Sequence, residues 1–139
     1  MASIQSMITA ITTKLGTDID DHKISNIPDD LEGYRLLHAN GELLVAYTGS
    51  SFQDTQVQKP TFYNRNAKFR IIVIKKHLTS QNGLYALLDS VRDSLSGLII
   101  DSTMKARLMP VEEGFLEQVE KEWRYFIDFK STTITYQPS

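Results

Sequence analysis

Residues 105–130 read Lys105-Ala106-Arg107-Leu108-Met109-Pro110, then Val111-Glu112-Glu113-Gly114-Phe115, then after a further acidic run Trp123-Arg124-Tyr125-Phe126-Ile127-Asp128-Phe129-Lys130. This stretch predicts two strands around an acidic, glycine-containing turn. In the second strand Trp123, Tyr125, Ile127 and Phe129 alternate with Arg124, Asp128 and Lys130. A period of two sends successive side chains to opposite faces, and aromatic residues favour a half-buried pleated surface. One face is therefore apolar and the other charged. The sheet this strand belongs to follows an amphipathic helix, which narrows the fold to a small α+β domain.

Working outward, the helix before it spans residues 83–99. Leu84, Leu87, Leu88, Val91, Leu95 and Ile99 line one face, and Asp89, Arg92, Asp93 and Ser96 the other. Ser80 or Asn82 can cap its start, and Gly97 sits where a helix stops. Upstream, residues 62–76 predict a long strand whose centre, Ile71-Ile72-Val73-Ile74, is apolar on both faces. Residues 49–61 are polar and predict a long loop. A strand over Glu42–Thr48 precedes it, and Asn40-Gly41 predicts a tight hairpin to a strand around Tyr34–His38. Thr17–Asp30 reads as an acidic connector. At the start, Ile4, Met7, Ile8, Ile11 and Leu15 make a helical stripe between a Ser3 cap and a Gly16 stop. The tail from Thr132 to Ser139 is polar and predicts fraying. The expected architecture is one α+β domain over residues 1–139. It has a mixed or antiparallel sheet of about four to six strands, with two helices packed on one face.

The 139 residues suffice for one hydrophobic core. A net charge of −2 speaks against a nucleic-acid coat, which needs a large cationic excess. With no cysteine, disulfides and thiolate metal sites are excluded, and a reducing cytosol is the expected setting. No apolar run reaches the roughly 18–20 residues of a membrane span, and the first residues lack the basic start and apolar core of a secretion signal. His22, His38 and His77 lie in three separate segments, and no Gly-x-Ser-x-Gly elbow or phosphate-cradling glycine loop is present. Asp18, Asp20, Asp21 and His22 lack the glycine and distal Glu of a calcium loop. No catalytic set, cofactor or metal is expected.

Two charged patches remain. Lys68, Arg70 and Lys75 lie on the long strand, and Glu112, Glu113 and Glu117 in the acidic turn. They are candidate subunit contacts of opposite sign. Phe52, the anchor of the predicted loop, with Gln53, Asp54, Tyr63 and Arg65 around it, is a candidate segment for ordering on a partner.

Three stretches together resemble a known group. They are the helix Ile4-x-x-Met7-Ile8-x-x-Ile11-x-x-x-Leu15, the strand Phe69-Arg70-Ile71-Ile72-Val73 leading into Gly83-Leu84-Tyr85-Ala86-Leu87-Leu88-Asp89, and above all Leu108–Phe115 followed by Trp123–Phe129. In order and spacing the chain is similar to the Mu-like bacteriophage minor tail proteins, which belong with the tail terminators of long-tailed phages. Residues Asp18–Pro60 carry no part of the match. The resemblance implies a structural protein of the virion tail, assembled in the host cytoplasm. It would form a ring, typically a hexamer, that stops tail-tube polymerisation and presents a head-joining surface. The implied partners are a second copy, the tail tube protein and a head-completion or connector protein. A small cytosolic adaptor or ligand-binding domain using the open sheet face is the alternative.

Overall fold

The computed structural model describes residues 3–19, 22–27, 41–54, 61–76, 82–101, 106–119 and 121–137. Two helices and six strands follow in the order α1 (Ile4–Asp18), β1 (Lys23–Asn26), β2 (Glu42–Asp54), β3 (Thr61–Lys76), α2 (Asn82–Leu95), β4 (Ile99–Asp101), β5 (Ala106–Val119) and β6 (Glu122–Gln137). The strands form one sheet in the order β1-β2-β3-β6-β5-β4. Only β1 and β2 run parallel; every other pair is antiparallel. This is the expected α+β class.

Both helices pack on one face. Met7, Ile11 and Leu15 of α1 and Leu84, Leu88, Val91 and Leu95 of α2 share a core with Val45, Phe69, Ile71, Val73, Ile127 and Phe129. Each such side chain contributes about 1.5–3 kcal/mol on leaving water. Ser3 caps α1 as expected, accepting the Ser6 N–H at 3.1 Å. The helix runs through Gly16 to Asp18, where the buried Ile19 N–H bonds Leu15 O at 2.9 Å. The tertiary contact at Ile19 overrides the local stop signal. Gly97 does end the α2 segment, with φ of 82°. Ile99 lies beyond it, in β4.

Four expectations need correcting. The loop over 49–61 is strand at residues 49–54 and 61, because each of those backbones has a β3 or β6 partner. The acidic turn at 112–122 is strand as far as Val119 and again from Glu122. The tail from Thr132 to Gln137 is strand, paired with β3. The connector Thr17–Asp30 contains β1. Each segment is largely polar and is held by ladder bonds, to the next strand in the chain for 49–54 and 112–119 and to the sequence-distant β3 for the tail.

Gly41 is used differently from the expected hairpin. Residues Glu42–Val45 already have β1 on one side and β3 on the other, so no third strand can pair with them. Gly41 has φ of 129°, and a Cβ there would sit 2.9 Å from Ile74 O. Only glycine passes so close to a neighbouring backbone in that conformation. The proposed strand around Tyr34–His38 lies outside the described residues.

Candidate assembly surface

The face away from the helices carries the alternate residues of the same strands. Near one end Leu44, Ile72 and Ile74 form a small apolar cluster with Leu116 packed on it. Beside it the registers align Lys23, Glu42, Ile74, Arg124 and Glu117 in one row across five strands. Arg124 is fully buried. Its guanidinium donates to Glu117 Oε1 and Glu122 Oε1, each at 3.2 Å. Lys23 Nζ reaches the buried Glu42 Oε1 at 3.4 Å. A buried charge is tolerated only when paired in this way.

Toward the middle of the face, Arg70 lies opposite Asp128. Its Nε donates to Oδ1 at 2.7 Å and its Nη2 to Oδ2 at 3.0 Å, while its Cζ sits 4.2 Å from the centre of the Phe126 ring. The hydrogen bonds to Asp128, with the nearby Glu112 charge, hold Arg70 above its usual pKa. Next in the ladder, Lys68 faces Lys130 directly, and both are exposed. Neither has an ion-pair partner among the described residues. Like charges at opposed strand positions cost stability. They line a hollow of about 400 Å³ with Thr48, Ser51, Asn66, Glu112 and Asp128.

The expected basic patch is thus split. Lys68 and Arg70 share this face. Lys75 points to the helix side, where it lines a separate hollow of about 290 Å³ with Gly83, Leu87 and Ser90 of α2. The acidic set divides in the same way. Glu112 and Glu117 align with Asp128 and Arg124 on the open face, whereas Glu113 accepts a hydrogen bond from Arg92 of α2 at 2.6 Å. That bond, then the one to Asp89, holds Arg92 above its usual pKa. A period of two assigns the sides of Lys68, Arg70 and Lys75 from sequence, but it would put Glu117 with Glu113; the irregularity between Phe115 and Glu117 carries Glu117 to the open face instead. The partners Asp128, Arg124 and Arg92 required the register and the helix placement.

The second candidate set lies on an arm. Here β2, β3 and β6 run on together past Gly49, pairing Phe52 with Arg65, Gln53 with Asn64 and Asp54 with Tyr63. Phe52 and Gln53 are exposed. Arg65 turns inward at the root of the arm, its Nε donating to Ser50 Oγ at 3.1 Å, and Ser50 in turn lies 2.6 Å from the Tyr47 hydroxyl. That contact with Ser50, followed by Arg65, lowers the Tyr47 pKa. The side chains of Asp54 and Tyr63 lie outside the described residues. Sequence reasoning missed an aromatic cluster. Phe115 packs at 5.4 Å from Tyr125 and 6.1 Å from Trp123, and Tyr85 of α2 joins it at 6.2 Å from Tyr125. The alternation in 123–129 was its only sequence signal.

Among the described residues no group of three or more His, Asp or Glu side chains is arranged to hold a metal ion. No described helix is long and apolar enough to cross a membrane. Among the described residues, one charged face of the sheet is bare of helix. Residues 11–138 match the family model described as Gp37 protein. The chain belongs to the Gp37 family. No curated protein matches it. Among solved structures, a chain from the virion of a native gene transfer agent (GTA) particle is similar in fold. The TM-score is 0.55 at 16% identity, over 96% of this chain and 92% of that one. Gp37 membership and this likeness together cover nearly the whole of α1 to β6.

Proposed function

We propose that this chain is a structural protein of a phage-like virion, acting without catalysis as a single domain of residues 1–139. In its finer form the reading is a tail terminator, assembled in the host cytoplasm. Copies form a ring, typically a hexamer, that caps the tail tube, stops its polymerisation and offers a surface to a head-completion protein. The observation that carries it is the fold shared, over almost its full length, with a virion component. Gp37 membership is consistent with it. The bare face with its unpaired Lys68 and Lys130, the charged Glu112 and Glu117, and the arm bearing Phe52 supply contact surface for a ring and for its neighbours.

Light scattering coupled to size-exclusion chromatography, at several concentrations and with purified tail tube, tests this. The expected result is a ring of about six chains, or recruitment to tubes. A monomer that ignores tubes at every concentration refutes the tail-terminator form. The hollow of about 400 Å³ on the bare face favours a second reading, a small adaptor or ligand-binding domain. That reading predicts a monomer or dimer whose hollow binds a small polar ligand.

A further inference from the structure

The sheet ends in two edges that the rest of the described chain leaves unpaired. On the outer side of β2, β1 pairs only along Glu42–Val45, and Ile27 N–H closes onto Val45 O at 3.0 Å. From Ala46 to Asp54 that side has no partner strand among the described residues. At the opposite end, β4 meets β5 at Ala106 and Arg107, and Leu108 N–H makes the last bond, to Leu98 O at 2.9 Å. From Met109 to Val119 the outer side of β5 is likewise open. At about 3.3 Å per residue each open stretch is roughly 30 Å long.

Large apolar side chains are exposed on both stretches: Phe52 at 60% on β2, and Met109 at 56%, Val111 at 58% and Phe115 at 52% on β5. Long edges with exposed apolar residues recruit further strands. The two ends of the sheet also differ in charge. Strands β1 to β3 carry Lys23, Arg65, Lys68, Arg70, Lys75 and Lys76 against Glu42 and Asp54. Strand β5 carries Glu112, Glu113 and Glu117 against Arg107. Several of these charges are paired within the chain, Lys23 with Glu42, Arg70 with Asp128, Glu113 with Arg92 and Glu117 with Arg124, which leaves Lys68 on β3 and Glu112 on β5 as charges of opposite sign to steer unlike ends together.

We propose that copies of this chain join head to tail by strand addition, with the β5 edge of one copy laid along the open β2 edge of the next. The proposal rests on the ring reading above and names its joint. Because the edges lie at opposite ends of one sheet, the contact is heterologous, as a closed ring requires. The sheet's twist turns each copy relative to the last. Pairing of β5 with another β5 is opposed by its glutamates.

Hydrogen–deuterium exchange on the full chain, from dilute to concentrated protein and on assembled rings or capped tubes, tests the joint. Amides in 46–54 and 109–119 should exchange at least about tenfold slower in the assembly than in the monomer. Val111→Lys and, independently, Phe52→Lys should each weaken assembly by about tenfold or more at unchanged melting temperature, since an edge lysine blocks strand addition. If either variant fails to fold, the other still decides. Rings that form with both stretches exchanging as in the monomer overturn the joint and leave the ring reading standing. A two-fold dimer protected only at 109–119 also overturns it, as like-edge pairing. A chain that never assembles, even on tubes, overturns both.

Discussion

On the helix side of the sheet, Ile71, Val73, Ile127 and Phe129 lie under Met7, Ile11, Leu88 and Val91. On the other side, the residues between them are Arg70, Ile72, Arg124, Phe126 and Asp128, and the apolar cluster shrinks to Leu44, Ile72 and Ile74. The same strands thus use two kinds of cohesion. Apolar packing is spread over many contacts and tolerates local change. Ion pairs across a ladder concentrate the stakes in a few groups, each dependent on register. The helix side is spent on folding. The other side buries the Arg124 cluster and leaves Lys68, Lys130 and Glu112 exposed.

The largest expected effect sharpens that contrast. Arg124→Ala removes the buried guanidinium that bonds Glu117 and Glu122 and should cost about 3–5 kcal/mol in urea denaturation, whereas Arg124→Met should cost far less or nothing if Glu122 is changed to Gln with it. Equal losses in the two variants would break the claim that unpaired charge, and not side-chain volume, dominates there. Next, Ile71→Ala and Ile72→Ala remove neighbours that face opposite ways. Both losses should fall within about 2–5 kcal/mol, with Ile71 the greater because the helices cannot close its cavity. A larger loss at Ile72 would mean that the open face is the tighter core.

Smaller again is Arg70→Ala. Its bidentate bond to Asp128 is partly exposed and screened by water, so a loss of about 1 kcal/mol is expected, shrinking in high salt. Salt-independent loss would point to the lost packing on Phe126 instead. The least effect concerns pH. Hydrogen bonds from Lys14 and from Ser94 of α2, each at 2.8 Å, lower the Asp18 pKa below its ordinary 3.8. A depressed carboxyl stabilises the fold above its unfolded value, and that contribution is lost as pH falls below about 3.8 through the folded value. Asp18→Asn should flatten the stability profile in that acid window alone. An unchanged profile would remove the Asp18–Ser94 contact as a tie between the helices.

The sequence by itself determined the elements that carry their own periodicity. The stripe from Ile4 to Leu15, the face from Leu84 to Leu95, the doubly apolar Ile71–Ile74 and the alternation from Trp123 to Phe129 all record which side is buried, and each lies in the predicted element type. Only the tertiary structure decided the polar strands. Residues 49–54, 112–119 and 132–137 are extended because their backbone groups find partners on β3 or β6, and a backbone hydrogen-bond ladder does not depend on an apolar side-chain pattern. The site divides along the same line. Placing Lys75 on the opposite face from Lys68 needs only the two-residue period. Pairing Arg70 with Asp128, Arg124 with Glu117, and Lys68 against Lys130 needs the β3–β6–β5 register, which packing of the whole sheet sets. The two edges left open among the described residues, too, are visible only once the strand order is known, since an edge is defined by the neighbour a strand lacks.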